Sequence, residues 1–235
     1  MNGFVNYAHR GASEYCPENT LLSFYTGVYM GANGIETDVQ RTKDGVLVLF
    51  HDDDLKRIFG LETSISDHTW NELRCMLVKK NTLEDRLVTL DDFLRQFAFR
   101  PLTFAIELKQ AGIEKEVAEL IFKHGIEKKC VVTSFDWENI LRMRQAAPEL
   151  ETGYLTGVVD ETTLLKMKAA GCVELCPEAT LVTPDRVREW HEKGFRVRAW
   201  GVKDESLMRM VYDSGADGMT VNFPDKLTAY LKKTE

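Results

Sequence analysis

Along this chain, short apolar runs rich in β-branched residues alternate with longer stretches in which apolar positions recur at helical spacing. The short runs predict strands at 4–9, 34–40, 102–109, 130–135, 151–156, 173–176, 196–202 and 218–221, with an extra strand at 46–50 beside the second. Helices are predicted between them, at 20–30, 90–97, 113–124, 137–147, 161–170, 184–193, 205–214 and 225–232. Asn19, Thr89 and Thr183 stand where N-caps belong, and Gly125, Gly171, Gly194 and Gly215 where a helix ends in a left-handed residue. Strand-then-helix units in this number predict α/β class: a single (β/α)8 TIM barrel. The segment 53–88 is too long for a simple connection and carries a helical piece of its own at 69–77, so it is read as a small insertion over one end of the barrel. One domain over 1–235 is expected, because no linker, repeat or low-complexity tract interrupts the pattern.

Composition narrows the class. With 44% hydrophobic and 29% charged residues in 235, the chain has material for a sizeable core and an ordinary soluble surface. A formal charge of -7 opposes non-specific attraction to nucleic acid or anionic lipid, so any phosphate-bearing substrate must be gripped by local positive charge. The five cysteines form no Cys-x-x-Cys pair, and neither a disulfide framework nor a zinc site is expected. The N-terminus runs directly into a strand-like segment without a signal-peptide pattern, from which a cytoplasmic location is expected.

Chemistry concentrates where the strands end. His9 and Arg10 close the first strand, Glu36 and Asp38 lie in the second, His51 and Asp52 close the extra strand, and Glu107 and Lys109 end the third. Alternate side chains of a strand share a face, so Glu36 and Asp38 emerge together and repel unless a cation lies between them; a hard divalent metal suits such oxygen donors. Two histidines facing one scissile bond supply an acid and a base near neutral pH. Taken singly, each signal has an ordinary structural explanation, but all fall at the same ends of adjacent strands, where a barrel places its chemistry. His68, His124 and His191 read as surface or capping residues. Phe135 and Trp200 end the fourth and seventh strands and are candidates to line the pocket. That side offers aromatic surface with no evident fixed charge.

The chain resembles the glycerophosphodiester phosphodiesterases through His9-Arg10-Gly11, Pro17-Glu18-Asn19-Thr20, Gly34-Ile35-Glu36-Thr37-Asp38-Val39, Thr42-Lys43-Asp44-Gly45, His51-Asp52 and Ile106-Glu107-Leu108-Lys109. The resemblance implies metal-dependent hydrolysis of glycerophosphodiesters to sn-glycerol 3-phosphate and an alcohol. It implies His9 and His51 as general acid and base, Glu36, Asp38 and Glu107 as ligands of Mg2+ or Ca2+, and Arg10 and Lys109 as partners of phosphate oxygens. The expected partner is a small-molecule glycerophosphodiester, with neither nucleic acid nor stable membrane insertion. A lipid-cleaving barrel and a non-catalytic binding barrel are the rival readings; the first asks for an apolar or basic rim, the second for a lost histidine or ligand. Two positions depart from the family pattern: Arg86-Leu87-Val88-Thr89-Leu90 replaces Ile-Pro-Thr-Leu, and Asn222 stands where many members have Asp. Head-group choice is expected to be loose, because the aromatic side lacks a charge.

Overall fold

The computed structural model describes residues 3–234. Met1 and Asn2, with which the expected leaderless start begins, lie outside them. In chain order the strands are β1 (Val5–His9), β2 (Gly34–Arg41), β3 (Leu47–Leu49), β4 (Leu77–Lys80), β5 (Leu83–Arg86), β6 (Thr103–Leu108), β7 (Cys130–Ser134), β8 (Glu151–Thr156), β9 (Glu174–Pro177), β10 (Arg196–Val202) and β11 (Gly218–Val221). The helices are α1 (Leu21–Tyr29), α2 (Lys56–Phe59), α3 (Trp70–Leu73), α4 (Leu90–Phe97), α5 (Glu114–Lys123), α6 (Trp137–Ala146), α7 (Glu161–Ala169), α8 (Pro184–Glu192), α9 (Glu205–Asp213) and α10 (Pro224–Thr234).

Eight parallel strands run in the order β1-β11-β10-β9-β8-β7-β6-β2, and β2 pairs back with β1, closing the barrel that the pattern predicts. β3 lies outside the ring, antiparallel to β2. The two large apolar clusters sit between strands and helices, one around Phe24, Phe93, Phe97 and Phe104, the other around Trp190, Phe195, Met208 and Phe223. Burial of these side chains against the outer helices, at about 25 cal/mol per Å2 of apolar surface, is what holds the ring closed. The barrel interior is instead polar, with Glu36, Asp38, Glu107, Glu174 and Arg198 all buried.

Thr89 and Thr183 cap α4 and α8, accepting from the backbone N–H of Asp92 and Arg186. The four glycines expected at helix ends all have positive φ. Asn19 is not a cap. Thr20 takes that role, accepting from Ser23 N, while Asn19 adopts a left-handed φ of 55° that turns its amide inward. The expected helix at 69–77 shrinks to the single turn α3, started by a capping box between Thr69 and Glu72. Leu77 onward forms the β4–β5 hairpin instead, closed at Asn81 with φ of 54°. The helical spacing there misleads because buried Val78 packs with the insertion's own small core around Leu55, Ile65 and Leu73. The departure at Arg86 to Leu90 leaves α4 in place, and Leu49 N donates to Val88 O at 2.9 Å, so the return strand zips onto β3. Among the described residues no helix is long and apolar enough to cross a membrane.

Candidate active site

The first βα turn is built for close approach. A Cβ on Gly11 would lie 2.1 Å from Ser23 Oγ, so only glycine lets α1 press against the end of β1. The squeeze sets Arg10 in a left-handed conformation, φ 54°, with its N–H donating to Glu36 O at 3.0 Å. A non-glycine residue held there stores strain of about 1–3 kcal/mol, of the kind functional sites carry.

β1, β2, the end of β3 and β6 are neighbours, so His9, Glu36, Asp38, His51 and Glu107 converge at the C-terminal rim. A pocket of about 280 Å3 is lined there by His9, Arg10, Glu36, His51, Glu107 and, on its other side, Phe135, Trp200, Lys203 and Asn222. Asp38 and Lys109 lie behind this lining. Lys109 Nζ is 2.9 Å from Glu107 Oε1, while Arg10 joins Glu18 at 3.0 Å and Asp38 at 3.1 Å. Phe135 and Trp200 meet edge to face at 4.9 Å. His68, His124 and His191 lie apart, bonded to Thr63, Asp91 and Asp217.

Glu36, Asp38 and Glu107 each offer a carboxylate oxygen within 4.8 Å of the others. Asn19 Nδ2 donates to Asp38 Oδ2 at 2.9 Å, yet the buried Oδ1 has no partner. Burial, with repulsion from Asp38 and Glu107, pushes the Glu36 carboxyl well above its usual range. Burial and Asp38 likewise push Glu107 up to about 7. Three hard oxygen donors short of positive charge, one of them orphaned, fit a divalent cation.

The two histidines have different supports. His9 Nδ1 is 2.6 Å from Asn222 Oδ1, and His51 Nδ1 is 2.7 Å from Asp52 Oδ1. Both partners are acceptors, so each Nδ1 carries the hydrogen and each Nε2 is left for the pocket. Burial and the neighbouring Arg10 push the His9 imidazole far below its ordinary range. Asp52 is gripped by Arg57 at 2.6 Å; against the upward push of burial, Arg57 and His51 hold it at about 2. His51 therefore faces a permanent carboxylate and His9 a neutral amide.

Several members of this site escape a reading of the sequence. Asn19 stands inside a recognisable motif but looks like a helix cap. Asn222 looks like a weakened family position, yet it also accepts from Ser13 Oγ at 2.9 Å and orients His9. Arg198 and Lys203 line the pocket without any local signal. Lys203 also corrects the expectation that the aromatic side lacks a fixed charge.

The comparisons agree with this geometry. The glycerophosphoryl diester phosphodiesterase family model matches residues 9–226. A glycerophosphodiester phosphodiesterase of Caldanaerobacter subterraneus subsp. tengcongensis is 29% identical over 96% of this chain and 97% of its own. An uncharacterised Bacillus subtilis protein, YqiK, is 30% identical over 96% and 98%. Among solved structures, an Oleispira antarctica phosphodiesterase in complex with the product sn-glycerol-3-phosphate superposes with a TM-score of 0.86 at 25% identity, covering 96% of each chain. A Silicibacter pomeroyi structure shares the fold, with a TM-score of 0.91 at 24% identity over 100% of this chain and 95% of that one. With its barrel, its rim of acids and histidines, and a family match over nearly its whole length, the chain belongs to the glycerophosphoryl diester phosphodiesterase family.

Proposed function

We propose that this protein hydrolyses glycerophosphodiesters to sn-glycerol 3-phosphate and an alcohol, with Mg2+ or Ca2+ held by Glu36, Asp38 and Glu107 and with protons moved by His9 and His51. The observation that carries this reading is the pairing of a three-carboxylate cluster with two differently supported imidazoles in one pocket. The bound cation would neutralise charge developing on the phosphoryl oxygens. Neutral His9, held through Nδ1 by Asn222, accepts at Nε2 the proton of the attacking hydroxyl: water gives sn-glycerol 3-phosphate directly, while the glycerol 2-hydroxyl gives a cyclic phosphate that water opens in a second displacement. His51, oriented through Nδ1 by Asp52, delivers a proton from Nε2 to the departing alkoxide, so a P–O bond forms as another breaks and one proton enters as one leaves. Arg10, on the pocket wall, and Lys109, beside Glu107, hold phosphate oxygens against the negative field of the protein.

Glu36→Gln and Glu107→Gln test the ligand set. Each is expected to abolish hydrolysis of glycerophosphoethanolamine and the rise in Tm that Mg2+ or Ca2+ gives the wild type, while both variants stay folded by circular dichroism. Full activity of wild-type protein in excess chelator after metal removal would sink the metal assignment.

A further inference from the structure

The wall of the pocket farthest from the acids carries a built feature. In the ring, four steps separate β6 from β10 in either direction, so β10 stands diametrically opposite Glu107. The pairing of β10 with β11 shifts register between Ala199 and Val202, a β-bulge, and Gly201 sits in it with φ of 73°. Bulges beside active sites re-aim side chains, and Gly permits the left-handed step. Regular alternation would put every second residue on the pocket face. Here Trp200, Gly201, Val202 and Lys203 all line it.

Lys203 thereby joins Phe135 and Trp200 in lining that side of the pocket, and of the described residues it is the one cationic residue there after β10. Among the described residues it forms no ion pair. The adjacent Asp204 is engaged elsewhere, its Oδ1 accepting from Leu207 N at 2.9 Å as the cap of α9. Glu178, just past β9, packs its Cγ 3.7 Å from where a Cβ of Gly201 would stand, but it is not among the pocket-lining residues and forms no ion pair with Lys203. With the phosphodiester held between the histidines and the acids as proposed above, one arm of the substrate extends toward Lys203, and that arm is taken to be the alcohol.

We propose that Lys203 is a specificity-determining residue that favours glycerophosphodiesters whose alcohol carries an anionic group. This rests on the hydrolysis proposed above and adds a substrate preference to it. An ion pair at a solvent-exposed rim gives a preference of about fivefold, and salt weakens it.

Two matched pairs test the idea: glycerophosphoserine against glycerophosphoethanolamine, which differ by a carboxylate, and glycerophosphoinositol 4-phosphate against glycerophosphoinositol, which differ by a phosphate. Wild-type kcat/KM is expected to favour the acidic member of at least one pair by about fivefold at low salt, and which pair responds tells a carboxylate preference from a phosphate one. Lys203→Gln should bring that ratio to about one, Lys203→Glu should invert it, and 0.5 M salt should shrink it in the wild type. A ratio unchanged in Lys203→Gln, or no wild-type preference in either pair, overturns the proposal while leaving the hydrolytic reading intact. No turnover of any of the four diesters with Mg2+ or Ca2+ overturns both.

Discussion

His9 and His51 are the same residue type in the same pocket, and what separates them is one atom of each partner: an amide oxygen on Asn222, a carboxylate oxygen on Asp52. On the reading proposed above, the buried His9 beside its amide is the base and His51, oriented by a carboxylate, is the acid. Replacing either histidine by Ala is expected to lower kcat by roughly 10²- to 10⁴-fold on ordinary glycerophosphodiesters. The leaving group should tell the two apart. With a p-nitrophenyl glycerophosphodiester, whose phenolate departs without a proton, His51→Ala should recover most of its rate and His9→Ala should not. Recovery in His9→Ala alone would reverse the assignment.

At the scale of elements, the insertion is fastened to the first βα loop by charge. Arg57 of α2 donates to Glu18 of that loop at 2.8 Å and 2.6 Å and to Asp52 at 2.6 Å. From the hairpin, Lys80 Nζ reaches Ser13 O at 2.6 Å. Burial alone would raise the Glu18 carboxyl, yet bonds from Arg57 and the charge of Arg10 hold it at about 2, below its ordinary 4.5. Asp52 is held at about 2 against 3.8. Depressed carboxyl values mean that the unfolded chain takes up protons first, so this stabilisation is complete above about pH 4.5 and is lost as pH falls through about 2. The contribution of this network to Tm, read as the difference between wild type and Arg57→Met, is therefore expected to be constant above pH 5 and to fall toward pH 2. Arg57→Met should cost about 1 kcal/mol near neutrality, since Arg57 is half exposed. A difference that does not shrink toward pH 2 would show that the network carries no linkage.

For the whole molecule, the barrel was legible because both faces of its strands are covered, which writes each strand as a compact apolar run between amphipathic helices. The rim acids and histidines were legible because Glu36, Asp38 and Glu107 put charge into strands that a closed barrel buries on both faces. What the sequence concealed depends on contacts between distant segments. Asn19 and Asn222 stand 203 positions apart, and nothing local hints that both amides serve one site; only the closed ring brings them together. The hairpin in the insertion was hidden by a local pattern compatible with a helix, and Lys203 by a bulge that no periodicity announces.

Arg198 belongs to the lining of the active-site pocket and also to that of a second cavity, about 200 Å3, at the opposite end of the barrel. Its guanidinium is tied to Glu174 at 2.8 Å, Thr220 at 2.8 Å and Cys176 at 3.3 Å, and lies over the Tyr7 ring. The barrel axis thus carries a cavity at each end, with Arg198 in the wall of both. Removing Arg198 alone leaves the buried Glu174 carboxylate with only Arg196, at 3.8 Å, and Arg198→Ala is expected to cost about 3 kcal/mol, or roughly 10 °C in Tm. Replacing both partners by apolar residues, Arg198→Met with Glu174→Leu, should restore most of that loss; a double variant no better than the single one would assign the cost to packing instead of charge. Shortening this one side chain would enlarge both cavities at once, so a change made for the far end of the barrel is felt at the site.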